Sequence, residues 1–177
     1  MAPADPSPAA LDPASDGDDL ASFPLLTTVG LLVEAHAGLT TAAERRLHEG
    51  GHVAGQPFEI LLRLLRSPGR RLRMSDLAAQ TTLTASGLTR AVDRLEATGL
   101  VVRAACDTDR RVSYAQLTDD GEAAIRAALP VHVAHLAEVF EGFDPAALAE
   151  LDCLLRRLRD ILNPAAASAS RALPEAS

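Results

Sequence analysis

Thr84, Ala85, Ser86, Thr89, Arg90 and Arg94 fall within the stretch TASGLTRAVDR, and Asp109, Arg110 and Arg111 within DTDRRVSYAQLT. Hydroxyls and guanidinium groups make poor acid–base pairs at neutral pH. They are good hydrogen-bonding partners for phosphate oxygens and for base edges. Arg90 and Arg94 can reach guanine or phosphate, Thr84, Ser86 and Thr89 can bond either, and the small Ala85 allows close approach. A helix face turned to a protein core would not gather Thr, Ser, Thr and Arg on one side. The adjacent Arg110 and Arg111 lie in a polar stretch between two apolar runs, as at the tip of a hairpin.

The elements that must position these residues are legible from periodicity and punctuation. Residues 22 to 49 carry apolar side chains at steps of three and four, closed by Gly50-Gly51, which predicts a long amphipathic helix. Gln56 to Arg66 predicts a second, with Pro57 in its first turn and Ser67-Pro68-Gly69 after it. RRLRM is a short extended run. Ser75 is then expected to cap a helix over Asp76 to Gln80, and Thr84 to cap a longer one ended by Gly99. Strands are expected over Leu100 to Ala105 and Val112 to Leu117. Thr118 should cap a long helix kinked at Pro130, and Asp144-Pro145 should open a last one. That helix places Leu148, Leu151, Leu155, Leu158 and Leu162 at alternating steps of three and four, a heptad seam suited to dimerisation. The fold class expected is mainly α, an α+β winged helix. A short helix, a turn, a longer helix and a two-stranded hairpin make a winged helix-turn-helix, whose second helix matches the width of the DNA major groove.

Charge agrees with that placement despite the formal net −7 of the 177-residue chain. Residues 60 to 117 hold ten Arg against five acids, net +5, while the remainder holds seven Arg against nineteen acids, net −12. A basic segment with acidic flanks suits a nucleic-acid partner, although a solvated Arg-rich face has the same composition. The chain is 47% hydrophobic but only 3% aromatic, so its core must rest on Leu, Val and Ala. The two cysteines, Cys106 and Cys153, do not make a secreted disulfide framework. The start MAPADPSPAALDPASDGDD lacks the features of a signal peptide, and no apolar run looks long enough to span a bilayer. A cytoplasmic protein without a membrane partner is therefore expected. Residues 1–20 and 164–177 are rich in Pro, Ala, Ser and acids and predict disordered tails. No Gly-rich phosphate loop, nucleophile elbow or zinc-protease motif appears, so no enzyme and no cofactor are expected.

The segments MSDLAAQTTLTASGLTRAVDRLEATGLVVR and DTDRRVSYAQLTDDG resemble the MarR (multiple antibiotic resistance regulator) family. The shared pattern is LA, a polar turn, TRxVDRLExxGLVxR, a DxRR-type wing and LTxxG, covering about residues 56 to 122. Thr108 in DTDRR is a departure, since many members carry Arg or another polar residue there. The resemblance implies a domain over 21–163, with a winged helix-turn-helix at 56–117 and dimerisation helices at 21–50 and 118–163. It implies a homodimeric transcriptional regulator, most simply a repressor, on a pseudo-palindromic double-stranded DNA operator. It also implies that Arg111 enters the minor groove, oriented by Asp109, with Arg110 on the backbone; narrow grooves attract Arg.

A small-molecule effector site between the dimerisation helices and the DNA head is likewise implied. His36 interrupts an apolar stripe there, and Arg63 could hold a carboxylate such as an aromatic acid. Alternatives remain within the same fold. His132 and His135 have the i,i+3 spacing of metal ligands, but there is no tight Cys/His cluster, and no metal site is expected. Cys106 beside the wing arginines could sense oxidants, although the first helix lacks the Cys that peroxide-sensing relatives carry there. A winged-helix protein-interaction module without DNA binding is the remaining reading.

Overall fold

The computed structural model describes residues 23–81, 83–105 and 112–164. The expected tails at 1–20 and 164–177 lie outside them apart from Pro164, as does the stretch 106–111. Chain contacts divide the protein into two units, Met1–Leu39 and Thr40–Ser177.

The elements are α1 (Pro24–Glu49), α2 (Gly55–Leu65), a 3-10 turn (Pro68–Arg70), β1 (Arg71–Arg73), α3 (Met74–Gln80), α4 (Ala85–Ala97), β2 (Val101–Ala105), β3 (Ser113–Leu117), α5 (Asp119–Val139) and α6 (Pro145–Leu162). The architecture is thus mainly helical with one small antiparallel sheet, ordered β1-β3-β2. The extended run after the 3-10 turn is a third strand, with Leu72 opposite Ala115. β2 and β3 form the hairpin, in register from Val101–Leu117 to Ala105–Ser113.

Three of the expected caps hold the helices as their sequences suggest. Thr84 Oγ1 accepts from the Gly87 amide at 3.1 Å, and Thr118 Oγ1 accepts from the Gly121 amide at 3.0 Å. Asp144 Oδ1 accepts from the Ala147 amide at 2.7 Å, with Pro145 just inside the helix. Gly99 ends α4 with φ +75°, the left-handed geometry that favours glycine. Ser75 departs from expectation. α3 begins two residues earlier, at Met74, Arg73 occupies the cap position without a side-chain bond, and Ser75 Oγ bonds Asp76 Oδ1 at 3.2 Å. Because β1 ends at Arg73, the chain turns directly from strand into helix before Ser75 is reached. α5 runs from Asp119 through Pro130 to Val139. Pro130 removes a single donor, the one that would have reached the Arg126 carbonyl.

The core of the second unit joins α2, α3, α4, the sheet and the first half of α5. Ile60, Leu61, Leu64, Leu77, Leu88, Val92, Val101 and Ile125 are fully buried in it, with Leu47 from the end of α1. Each such side chain removed from water contributes roughly 1.5–3 kcal/mol, offset by ordering entropy. At the centre of α4 the buried set Leu88, Ala91, Val92 and Leu95 forms one stripe at steps of three, one and three. That stripe fixes which face of α4 looks outward.

In the first unit, Leu25, Leu26, Val29, Leu31, Leu32 and Val33 of α1 are all exposed. Between Pro24 and Ala43 the one Asp, Glu, Lys or Arg is Glu34. By length and composition α1 is therefore long and apolar enough to cross a membrane, which corrects the expectation that no run qualifies. An apolar helix of this kind equally suits pairing with other helices.

Candidate nucleic-acid interface

The outward face of α4 carries Ala85, Ser86, Thr89, Arg90 and Arg94, preceded by the cap residue Thr84, and all six are exposed. The structure thus places every major-groove candidate on one surface opposite the buried stripe. Their chemistry is not uniform. Thr84 Oγ1 holds the Gly87 amide and lies 3.3 Å from Ser86 Oγ, so it serves the helix end as well as any ligand. Thr89 Oγ1 donates to the Ala85 carbonyl at 2.9 Å, which occupies its proton and leaves its lone pairs as acceptors. A base amino group or a bridging water suits that oxygen.

Two acids, Asp93 and Glu96, share this helix with the arginines. Both turn toward β2, where Arg103 lies between them. Its guanidinium reaches Asp93 Oδ1 at 2.6 Å and donates to the Thr89 carbonyl at 3.3 Å, with Glu96 Oε2 3.9 Å from Nε. The Arg103 backbone amide donates to Glu96 Oε1 at 3.1 Å. Charge counting over residues 60 to 117 missed this link. Its signal was the spacing of two acids, a glycine turn and an arginine in VDRLEATGLVVR.

The β2–β3 ladder ends at Ala105–Ser113. Asp109, Arg110 and Arg111, the wing candidates, fall in the stretch between, outside the described residues, as does Cys106. The other basic cluster, on β1, is set against Tyr114 of β3. Arg73 Nε donates to Tyr114 Oη at 3.2 Å, and the Arg71 guanidinium lies 5.0 Å from the ring centre. Arg70 pairs with Glu122 at the start of α5, and Glu122 also accepts from Arg126 Nε at 2.7 Å. Beside them, Thr118 Oγ1 donates to the Gly99 carbonyl at 2.7 Å, tying the end of α4 to the start of α5.

The effector candidates belong to different units, His36 to the first and Arg63 to the second. Burial pushes the Arg63 guanidinium below its ordinary range; nearby Glu59 raises it, while Arg66 and Arg159 lower it further. The nearest carboxylate oxygen, on Glu59, is 3.7 Å away. On α5, burial lowers His132, whose ring packs at a tilt of 53° against Phe58 with centroids 4.6 Å apart, and His135 adds to the shift. His135 is 4% exposed, and neither of its ring nitrogens has a partner among the described residues. Among the described residues no group of three His, Cys, Asp or Glu could hold a metal ion. Cys153 is an exposed thiol.

The seam on α6 splits. Leu148 and Leu151 are half-buried, while Leu155, Leu158 and Leu162 are exposed, together with Leu154 and Ile161. No residue of α6 is buried. The apolar face is wider than a strict heptad seam because Leu154 and Ile161 extend it.

Comparison with known proteins places this geometry. The MarR family sequence profile matches residues 53–112. The uncharacterized HTH-type transcriptional regulator YkoM of Bacillus subtilis is 30% identical over 118 residues, 66% of this chain and 76% of that protein. Sco3205, a MarR family transcriptional regulator from Streptomyces coelicolor solved in complex with DNA, superposes with a TM-score of 0.71. It is 33% identical, over 84% of this chain and 92% of its own. NadR in complex with 4-hydroxyphenylacetate superposes with a TM-score of 0.64 at 26% identity, over 73% and 90% of the two chains.

Proposed function

The chain belongs to the MarR family of DNA-binding transcriptional regulators, and from that premise we propose that it is a ligand-responsive repressor acting as a homodimer on a pseudo-palindromic operator. The observation that carries the DNA-reading assignment is the sidedness of α4. Its Thr/Ser/Arg face is exposed as a unit, and its apolar face is buried against the sheet and α2. In this reading Thr84, Ala85, Ser86, Thr89, Arg90 and Arg94 lie in the major groove. Arg110 and Arg111 of the wing reach backbone and minor groove, with Asp109 orienting Arg111.

Dimerisation is the reading best supported for the exposed leucines of α1 and α6. Exposed apolar faces of this extent, on helices of 26 and 18 residues, favour burial against a second copy. The domain division follows, with 56–117 as the DNA head and 21–50 and 118–163 as dimerisation helices. The relative NadR carries an aromatic acid. Together with the half-buried Arg63, whose acid neighbour Glu59 is 3.7 Å away, it supports a small carboxylate as effector. A cytoplasmic location follows from action on DNA.

Fragments selected from the source genome by the protein supply the operator. A salt titration of that duplex by fluorescence anisotropy should give a steep negative slope of log affinity against log salt, with each phosphate neutralised adding about −0.9. Absence of binding at any salt would refute the assignment.

A further inference from the structure

The acids on α4 pose a problem for a helix that approaches a polyanion. From Ala85 to Ala97 the charged residues are Arg90, Asp93, Arg94 and Glu96, a formal sum of zero. Arg103, on the first strand of the wing, changes that sum to +1 and engages both acids, which remain exposed beside the arginines. We propose that Arg103 is a positioning residue for DNA binding: it pairs with Asp93, offsets part of the Glu96 charge, and locks the reading helix to the wing.

Three independent contacts support the second half of that statement. The guanidinium touches a side chain at Asp93 (2.6 Å) and the main chain at the Thr89 carbonyl (3.3 Å), one turn apart on α4. Glu96 closes the loop from the other direction by accepting the backbone amide of Arg103 at 3.1 Å. A planar guanidinium can satisfy both α4 contacts at once because its N–H groups diverge at fixed angles. A shift of β2 against α4 would break all of them together, so the spacing between the two reading elements is fixed before DNA arrives. Thr89 is itself a groove candidate, and Arg103 fixes the backbone that carries it.

Stability is a poor explanation for this cluster. Arg103 and Asp93 side chains are 33% and 52% exposed, and exposed pairs contribute little to folding. Near DNA the same charges matter more, since two uncompensated carboxylates would face phosphates within a screening length.

The inference rests on α4 being the groove helix, and the experiment separates the two. The unaltered full-length protein is titrated onto its selected operator duplex; failure of that binding overturns the groove reading itself. Given binding, Arg103→Ala should weaken it roughly tenfold, with the salt slope changed by less than about half a unit and the thermal midpoint nearly unchanged. Adding Asp93→Asn to Arg103→Ala should restore most of the loss, and Arg103→Lys, which keeps the charge but not the fork, should lie between. Undiminished binding by Arg103→Ala overturns the proposal. So does a slope reduced by about one with no rescue by Asp93→Asn, because that marks a direct phosphate contact. A loss matched by a fall in thermal midpoint, unrescued by Arg103→Lys, likewise overturns it in favour of a purely structural role.

Discussion

At Gly121 a Cβ atom would run into the Leu100 carbonyl oxygen and come within 2.9 Å of Leu117 Cδ1. The obstacle is backbone, held by the Thr118 amide bonding that same carbonyl at 3.2 Å, so it cannot swing aside as a side chain would. Gly121→Ala is therefore expected to destabilise the protein by about 1–3 kcal/mol, read as a lowered thermal midpoint. An unchanged midpoint would mean that α5 can shift away from the strand entry at little cost. The hydroxyls at Thr84 and Thr118 show the complementary case, in which the interaction is local. Each lies three residues before the amide it accepts, so the cap was readable from sequence spacing alone. The reason for Gly121 was not readable in that way, although LTxxG marked the position. Its partner Leu100 is brought near by a strand and a hairpin, and only the assembled fold reveals the contact.

Among the elements, α6 shows most directly what one chain leaves unfinished. Its leucine spacing was legible, and the structure leaves Leu155, Leu158 and Leu162 exposed beside Leu154 and Ile161. If this face is the dimer seam, Leu155→Asp or Leu158→Asp buries a carboxylate against apolar surface in the dimer and costs nothing in the monomer. Sedimentation should then show monomers of normal helical content; a persistent dimer rules the seam out. β1 was harder to recognise as a strand. It has three residues, and its pairing partner β3 lies some forty positions on, so no local hairpin signal existed. The same strand explains the Ser75 misreading, because the register that ends at Arg73 starts α3 two residues early. Propensity names a good cap, but tertiary pairing decides where the helix begins. The α4 face was legible for the opposite reason. Its polar and apolar residues alternate with helical period, and the buried set Leu88, Ala91, Val92 and Leu95 leaves the candidates no other side to occupy.

For the whole molecule, charge distribution sets how the protein meets DNA at a distance. The net −7 divides into +5 over residues 60 to 117 and −12 elsewhere, and residues 1 to 20 alone contribute five acids and no Arg. Non-specific affinity for DNA arises almost wholly from neutralised phosphates, whereas operator affinity also includes base contacts. Acidic flanks therefore subtract a larger share from non-specific than from specific binding. Within a screening length of about 10 Å at 0.1 M salt they repel any duplex, whatever its sequence. Deleting residues 1 to 20 should accordingly raise affinity for an unrelated duplex more than for the operator, lowering the ratio between them. The effect should fade as salt approaches about 1 M, where screening shortens to roughly 3 Å. Competition titrations of both duplexes at two salt concentrations measure it. If the truncated chain keeps the same ratio at low salt, the acidic flank does not act on DNA, and discrimination rests wholly on α4 and the wing.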